Sequence, residues 1–472
     1  MLYPTLRSIT GVALRWYYRE VTIAGGERIP QSAPVLFVVN HPNALVDALV
    51  VGWVVPRRVR ITAKAVLFDN PALGMFLRTL GIVPLRRASD ERARLERSGE
   101  HSGGAGGHVA DPSRNATSFA AILDALDRRS AVLIFPEGKS HDAPGLEPLK
   151  TGPARIALAA RDAGKAPGLQ IVPIGLVFES KEVVRSRVVA IVGDPIDVHG
   201  WNAPADGGRA EALTAEIDRR LRAVMLSAPT AEELTGLQSL AGSVVAVLAA
   251  DAPSLGAGRT LHEEYLIAAR LARGFESLAS LPPALQERAA AAQRRLAAFT
   301  AALGAARIDP ADSAISLRRR HGARFVVREL LLMLALGPLA LWGRVTHWIP
   351  FRLARRIAMR DVTSRDQPAM RTIVAGLGLV LASYALQGAV VWWLAGGLAA
   401  ALWLALLPIA ADVDLRYSDR ITAAVRRTRA YLTLRRDPGL AESLARERAG
   451  LAAEITELDV ALTAALTGAG WR

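Results

Sequence analysis

Cysteine is absent from this chain of 472 residues. Its absence excludes disulfide bonds, thiolate zinc sites and a cysteine nucleophile, and it is compatible with a reducing compartment.

Acidic residues are fewer than basic ones: the chain has 44 aspartates and glutamates and 58 lysines and arginines, for a formal net charge of +14. That excess predicts an anionic partner, either a nucleic acid or the acidic head groups of a membrane. Because no nucleic-acid motif stands out, we expect a membrane partner and no nucleic acid.

Residues 1–23 mix apolar and aromatic side chains with three arginines, Arg7, Arg15 and Arg19. A basic, aromatic-rich helix of this kind is typical of an amphipathic segment that lies in the plane of a membrane interface. A first helix packed on the following domain explains the same pattern, so both interpretations stay open.

Residues 24–200 predict an α/β domain. Short apolar runs that suit buried strands alternate with stretches of helical character. The strands are expected at Val35–Val39, Val59–Thr62, Val132–Phe135, Ile171–Phe178 and Arg187–Val192, and the helices at Asp47–Val55, Pro71–Thr79, Ala116–Arg129 and Thr151–Ala163. This alternation predicts a mixed, largely parallel sheet flanked by helices. Residues 203–320 have apolar positions at helical spacing, which predicts a helical region but does not indicate its role.

Hydrophobic residues make up 51% of the chain, and the apolar excess lies in residues 328–472. The run 330–342 is short for a membrane span, which favours an interfacial or re-entrant position. Residues 372–411 carry no charged side chain, and that length suffices for two spans of about 20 residues each. We therefore predict a transmembrane hairpin at about 372–411, with its turn at Gly396 and Gly397 and a basic tail behind it. Buried core helices are the alternative.

Arginines flank the uncharged stretch on both sides, among them Arg360 and Arg371 before it and Arg416 and Arg420 after it. Cytoplasmic flanks of membrane helices carry an excess of arginine and lysine. Both flanks are therefore expected in the cytoplasm, which requires an even number of crossings. This predicts a protein of the cytoplasmic (inner) membrane whose α/β domain faces the cytoplasm.

His41 follows the predicted strand Val35–Val39 and precedes a helical stretch that contains Asp47. A side chain at the end of a strand is well placed for a cleft in an α/β fold. Imidazole can remove a proton from a hydroxyl near neutral pH when a carboxylate fixes its tautomer. The pair predicts a general base, although one histidine and one aspartate alone are also compatible with a structural role.

Three further blocks strengthen the catalytic interpretation. Phe135-Pro136-Glu137-Gly138 places a carboxylate and a turn at the end of a strand, with the hydroxyl of Ser140 close behind. The segment from Gly81 to Arg87 ends in two arginines. The guanidinium group can donate two parallel hydrogen bonds to a phosphate. The last block along the chain, Val172-Pro173-Ile174, is apolar and suits a pocket wall or an edge strand.

Along the chain, the four blocks begin at His41, Gly81, Phe135 and Val172. With the blocks in this order, residues 30–200 resemble the phospholipid/glycerol acyltransferase family, which contains glycerol-3-phosphate and 1-acylglycerol-3-phosphate O-acyltransferases. One feature departs from the family's usual pattern, because five residues instead of four separate His41 from Asp47. On a helix, a shift by one residue turns a side chain by about 100°, so we expect a bulge after His41 to absorb it. The longer spacing itself resembles a branch of glycerol-3-phosphate and dihydroxyacetone-phosphate acyltransferases.

The resemblance implies the glycerolipid acyltransferase fold and an enzyme of phospholipid biosynthesis. The implied acyl donor is acyl-CoA or acyl carrier protein, and the implied acceptor is a hydroxyl of glycerol 3-phosphate or 1-acylglycerol 3-phosphate. His41 is the implied general base, oriented by Asp47, and no metal or redox cofactor is implied. The residues implied in substrate binding are Gly81, Arg86, Arg87, Glu137, Gly138 and Ser140. Among them, Arg87 with Arg86 is implied to hold the acceptor phosphate, and Glu137 with Gly138 to position the glycerol. Val172, Pro173 and Ile174 are implied to contact the acyl chain.

Two alternatives stay open at this point. One is an acyltransferase that remodels lysophospholipids, since these acceptors suit the same arginine-plus-histidine site. The other is a catalytically silent membrane scaffold that keeps the fold and binds a protein partner through residues 203–320. The presence of His41, Asp47, Glu137 and Gly138 favours an enzyme, because a scaffold needs none of these side chains.

Overall fold

The computed structural model describes residues 2–69, 74–75, 79, 82–85, 112–203, 208–249, 260–277, 280–315, 317, 319–360 and 367–468. The chain divides into two compact units. The first comprises Met1–Ser227 and Ile357–Val374, and the second comprises Ala228–Arg356 and Ala375–Arg472. Gly81, Arg86 and Arg87 lie outside the described residues, as does most of the helix predicted at Pro71–Thr79.

The first unit is built on a mixed, mostly parallel sheet, as predicted. Its described strands are β1 (Glu20–Ala24), β2 (Val35–Val39), β3 (Val59–Lys64), β4 (Val83–Leu85), β5 (Ala131–Ile134), β6 (Gln170–Phe178), β7 (Arg187–Val192) and β8 (Ile196–Asp197). Their order is β1-β7-β6-β2-β5-β3-β4, with β8 paired to β6. β6 runs antiparallel to β7 and β8, and the other pairs are parallel.

Helices cover both faces of this sheet: α1 (Leu2–Tyr17), α2 (Leu45–Val54), α3 (Pro112–Asp127), α4 (Gly152–Asp162) and α5 (Arg209–Arg222). Successive side chains of a strand point to opposite faces. In β2, Val35, Phe37 and Val39 accordingly join one buried core, and Leu36 and Val38 join the other. Burial on both faces is the reason that β2 has an uninterrupted apolar sequence.

Three differences from the sequence-based prediction concern this unit. β1 begins at Glu20, before the predicted start of the domain, and pairs with β7. Leu14 and Tyr18 are fully buried in the core that contains Phe37. The end of α1 and the residue after it therefore pack on the domain, as in the interpretation of a packed first helix. The edge-strand interpretation of Val172–Ile174 is wrong, because β6 lies between β2 and β7.

The second unit is helical over its described residues. It contains α6 (Ala231–Leu248), α7 (Leu261–Ser277), α8 (Pro283–Ala305), α11 (Pro438–Gly468), and most of α9 (Arg319–Ala358) and α10 (Pro368–Arg436). Short 3-10 helices occur at Gly26–Arg28 and Ala65–Phe68 in the first unit and at Pro310–Asp312 in the second. A buried core joins α6, α8, α10 and α11 through residues such as Val247, Phe299, Leu434 and Leu451.

α10 is broken at Gly396, whose φ of 83° and ψ of 175° are not helical. In a straight helix, residues 387 and 403 would be about 24 Å apart at 1.5 Å per residue. Instead, Trp403 Nε1 donates a hydrogen bond to Gln387 Oε1 at 3.3 Å. The helix therefore folds back at the glycine pair that the sequence placed at a turn.

Two helices, Arg320–Ala358 and Pro368–Arg436, are long and apolar enough to cross a membrane, by length and composition only. Only 11% of the most apolar window of each is buried, which disfavours the interpretation as core helices of a soluble protein. The apolar run 330–342 is part of the first of these helices, so the interfacial position expected for it stays a prediction. At the start of α10, Ala369, Met370 and Ile373 pack in the core of the first unit.

Candidate active site

His41 lies at the carboxyl end of β2, one residue beyond Asn40. The side chain of Asn40 is buried and continues the pairing of β2 with β6, since Leu176 N–H donates to Asn40 Oδ1 at 2.7 Å and Asn40 Nδ2 donates to the Leu176 carbonyl at 3.2 Å. These two hydrogen bonds fix the backbone immediately before the histidine. In parallel sheets, the carboxyl ends of the strands are where α/β proteins bind their ligands.

His41 and Asp47 form the pair that the sequence predicted. His41 Nδ1 lies 2.9 Å from Asp47 Oδ2, which also accepts a hydrogen bond from the Asn43 N–H at 2.7 Å. A carboxylate can only accept, so Nδ1 carries a proton, and in the neutral imidazole Nε2 then has the lone pair. Among the described residues, Nε2 has no hydrogen-bond partner, which leaves it available as a base.

The bulge expected between His41 and Asp47 lies at Ala44. Ala44 has a φ of 48° and a ψ of −131°, and α2 begins directly after it. A positive φ is strained for a residue with a Cβ atom. This conformation lets the chain bulge before it becomes helical, so Asp47 in the first turn of α2 still reaches His41.

Burial governs the charge state of Asp47, which is completely shielded from solvent. Desolvation raises the pKa of Asp47, while the hydrogen bond and charge of His41, the Asn43 N–H and the charge of Lys181 lower it in part. Its Oδ1 atom has no hydrogen-bond partner among the described residues. An electron-rich carboxylate of this kind stabilises the imidazolium that forms when His41 takes a proton.

A second layer of buried polar groups supports the pair. Asn43 Nδ2 donates to the hydroxyl of Tyr18 at 3.1 Å, and both residues are fully buried. Burial, first of all, raises the pKa of Tyr18 well above its usual value, so this hydroxyl is neutral at physiological pH. Sequence reasoning missed both residues, because 25 positions separate them and neither has a distinctive spacing.

The imidazole of His41 stacks on the ring of Phe135, with centroids 3.8 Å apart and planes 8° from parallel. The stack limits rotation of the imidazole, whose side chain is only 12% exposed. Phe135 directly follows β5 and is the first residue of the Phe-Pro-Glu-Gly block. The first and third blocks of the sequence are thus brought together by the parallel pairing of β2 with β5.

Glu137, the acid of that block, is nearly fully buried and binds the backbone of the neighbouring loops. Its Oε1 accepts from the His41 N–H at 2.7 Å, and its Oε2 accepts from the Glu147 N–H at 2.9 Å and from His141 Nε2. Gly138 has a φ of 78° and closes the turn through a hydrogen bond from its N–H to the Phe135 carbonyl. Glycine tolerates that backbone conformation without steric cost.

The remaining predicted residues differ in how they relate to His41. Ser140 is half-buried on the loop that follows Gly138. Val172, Pro173 and Ile174 are buried in β6, whose Ile174 pairs with Val39, two residues before His41. Contact of these three with an acyl chain stays a prediction, as does the role of Gly81, Arg86 and Arg87 outside the described residues. Within the described residues, no group of histidine, cysteine or acidic side chains is arranged to hold a metal ion.

The arrangement can therefore remove a proton from a hydroxyl. Its imidazole has one nitrogen without a hydrogen-bond partner among the described residues, a buried carboxylate on the other nitrogen, and a backbone held on both sides of the histidine. These are the components of general-base catalysis on a substrate's own hydroxyl.

Comparison with known proteins shows similarity to acyltransferases. The family model described as Acyltransferase matches residues 20–177. The chain is 25% identical over 313 residues to an uncharacterized acyltransferase of Schizosaccharomyces pombe, a match that covers 50% of this chain and 46% of that protein. It is 41% identical over 91 residues to glycerol-3-phosphate O-acyltransferase 2 of Saccharomyces cerevisiae, covering 19% of this chain and 12% of that protein.

A bacterial relative is also similar. The 1-acyl-sn-glycerol-3-phosphate acyltransferase of Haemophilus influenzae is 26% identical over 207 residues, which cover 41% of this chain and 74% of that protein. The chain spans less than half the length of the two fungal relatives.

Proposed function

Residues 20–177 match the family model described as Acyltransferase, and from this match we propose that the protein is a glycerolipid O-acyltransferase. It transfers a fatty acyl group from acyl-CoA or acyl carrier protein to a hydroxyl of glycerol 3-phosphate or 1-acylglycerol 3-phosphate. The observation that carries the proposal is the hydrogen bond from His41 Nδ1 to the buried Asp47, within the segment that the family model matches.

The reaction needs no acyl-enzyme. As the acceptor oxygen attacks the thioester carbonyl carbon, Nε2 of His41 takes the hydroxyl proton, and Asp47 stabilises the imidazolium. The tetrahedral intermediate then collapses and the carbon–sulfur bond breaks. His41 donates its additional proton to the leaving thiolate. The products are an ester and a free thiol, so protons and electrons balance.

Acceptor binding involves the second block of the sequence. Arg87, with Arg86, holds the acceptor phosphate, because a guanidinium donates two parallel hydrogen bonds to phosphate oxygens. Gly81 begins this block, and Val172–Ile174 contact the acyl chain. Replacing Arg87 by alanine is expected to raise the KM for a phosphorylated acceptor more than it lowers kcat, since the phosphate is bound in both the ground state and the transition state.

Lipid acceptors and products reside in the bilayer, so we also propose that the protein is bound to a membrane. Leu334 in α9 and Leu398 in α10 are 67% and 79% exposed, and Trp392 and Trp393 are exposed beside the turn at Gly396. Burial of such surface in lipid is favourable by roughly 25 cal/mol per Å², and tryptophan is enriched at membrane interfaces. The arginine-rich flanks support a hairpin whose two ends are cytoplasmic.

The acceptor assay tests the chemistry. Purified full-length protein in detergent is offered acyl-CoA and, separately, acyl carrier protein as donors, with three acceptors: glycerol 3-phosphate, 1-acylglycerol 3-phosphate and a lysophospholipid with a head group. Acylation of one or both of the first two acceptors is expected. Exclusive use of the lysophospholipid would make the remodelling reaction the correct one, and transfer to none of the three would favour the scaffold.

The natural lack of cysteine makes the topology directly testable. Ser443→Cys in α11 and Gly397→Cys at the turn are labelled in intact cells with a membrane-impermeant maleimide. We expect Gly397→Cys to react in intact cells and Ser443→Cys only after permeabilisation. Reaction of Ser443→Cys in intact cells contradicts the orientation without affecting the proposed chemistry.

A further inference from the structure

His141 is a histidine beside the active site that the proposed mechanism does not use. It lies four residues after Glu137, and its side chain is only 11% exposed. Three of its polar groups are engaged by the loops around His41. Its N–H donates to the His41 carbonyl at 3.3 Å, its Nδ1 accepts from the Ala143 N–H at 3.2 Å, and its Nε2 bonds to Glu137 Oε2.

These partners determine the protonation state of the His141 imidazole. A main-chain N–H can only donate, so Nδ1 must present its lone pair to Ala143. The imidazole is then neutral with its proton on Nε2, and that proton is donated to the carboxylate of Glu137. In this tautomer His141 is a hydrogen-bond donor, and it is not a second general base.

The three residues form a closed ring of hydrogen bonds, which we call the clasp: His41 N–H to Glu137 Oε1, His141 Nε2–H to Glu137 Oε2, and His141 N–H to the His41 carbonyl. The clasp binds both main-chain polar groups of His41. Glu137 is 2% exposed, and loss of a partner from a buried carboxylate is costly. His141 is thus linked to His41 through Glu137 and through the main chain.

We infer that His141 is a positioning residue, which acts through Glu137 to hold the main chain of His41 so that Nε2 faces the acceptor hydroxyl. The inference rests on the proposed acyltransferase function. It also assigns Glu137 to the clasp in place of the glycerol contact that the sequence predicted, because both of its oxygens accept hydrogen bonds from the protein.

The test compares His141→Gln with His141→Asn in the full-length protein. Both are neutral amides, but only glutamine is long enough to donate an N–H from the position of Nε2. With displacement of the base by about 1 Å costing roughly 100-fold, His141→Asn is expected to lower kcat by about 10- to 100-fold. Its KM for the acceptor should change less than about 3-fold, and His141→Gln should keep most of the wild-type kcat.

Hydrogen–deuterium exchange of the segment 40–47 gives a readout that does not require activity. His141→Asn should speed exchange in this segment, because the His41 N–H loses a fixed acceptor, and His141→Gln should leave it close to wild type. His199→Asn, an exposed histidine of the same unit, is the control and should match the wild type in both measurements. Thermal melting of each variant verifies that it is folded.

Four results would overturn the inference: equal kcat in the asparagine and glutamine variants, unchanged exchange in His141→Asn, an effect confined to KM, or failure of both variants to fold. A confined KM effect would make His141 a substrate-binding residue. If the wild-type protein transfers no acyl group, the proposed function fails, and the exchange experiment still decides whether the clasp holds the His41 backbone.

Discussion

Asp47 Oδ2 lies 2.9 Å from His41 Nδ1, although five residues separate the two in the sequence. The backbone between them turns at Ala44, whose positive φ directly precedes α2. This turn allows Asp47, in the first turn of α2, to reach the imidazole.

Asp47→Asn should abolish most activity and leave the fold as stable as before or more stable. The amide N–H₂ of asparagine would face Nδ1, drive the proton of His41 to Nε2 and remove the base, a change that costs roughly 10⁴-fold in a comparable triad. Because burial raises the pKa of Asp47, the folded state binds this proton more readily than the unfolded state does. Ionisation of this group therefore reduces stability as pH rises from about 3.9 through the folded pKa.

Measurements of kcat at neutral pH and of thermal unfolding from pH 4 to 8 test both parts of this expectation. The stability advantage of Asp47→Asn over the wild type should shrink as the pH falls, since the wild-type carboxyl then becomes neutral. A variant that is clearly less stable than the wild type at pH 7 would contradict the account of Asp47, as would one with nearly full activity.

Ala44→Gly should stabilise the protein by about 1 kcal/mol, because glycine adopts a positive φ without the steric cost that alanine has. Ala48→Gly is the matched control in the regular part of α2 and should destabilise by about 1 kcal/mol. Chemical denaturation of the two variants provides the comparison. Equal destabilisation by both substitutions would show that Ala44 is not strained.

Gly396→Ala should destabilise the second unit by about 1 to 2 kcal/mol, because its φ of 83° is unfavourable for alanine. Gly397→Ala is the control: a Cβ atom has no neighbour within 4 Å at either glycine, and only Gly396 has a positive φ. Gly397→Ala should be neutral or slightly stabilising. Thermal melting in detergent distinguishes the two, and a larger loss at Gly397 would contradict the turn at Gly396.

The apolar pattern predicted the central strands of the sheet well and its two edge strands, β1 and β4, poorly. β2 and β7 have the predicted bounds because burial on both faces requires an uninterrupted apolar run. β1 was missed because it is only partly buried and its partner β7 lies more than 160 positions along the chain. β4 was missed because it has only three residues.

The site was predictable where chemistry imposes residue types at a fixed spacing, as for His41, Asp47 and Glu137. The sequence did not predict the features of the site that depend on backbone conformation or on contacts between residues far apart in the chain. The φ of Ala44 and the hydrogen bond from Asn43 to Tyr18 have no local signal. His141 stands beside the Phe-Pro-Glu-Gly block, and only the tertiary structure shows which atoms of His41 and Glu137 it binds.

Acyl transfer by the His41→Asn variant is the most direct test of the account. Wild-type, His41→Asn and His199→Asn proteins, purified in equal amounts and checked for folding, are assayed with acyl-CoA and both glycerol phosphate acceptors. Since a positioned general base contributes roughly 10²- to 10⁴-fold, His41→Asn should lose at least about 100-fold in kcat while His199→Asn keeps the wild-type rate. If folded His41→Asn protein kept more than about a tenth of the wild-type rate, His41 would not be the base and the mechanism proposed for this site would be wrong.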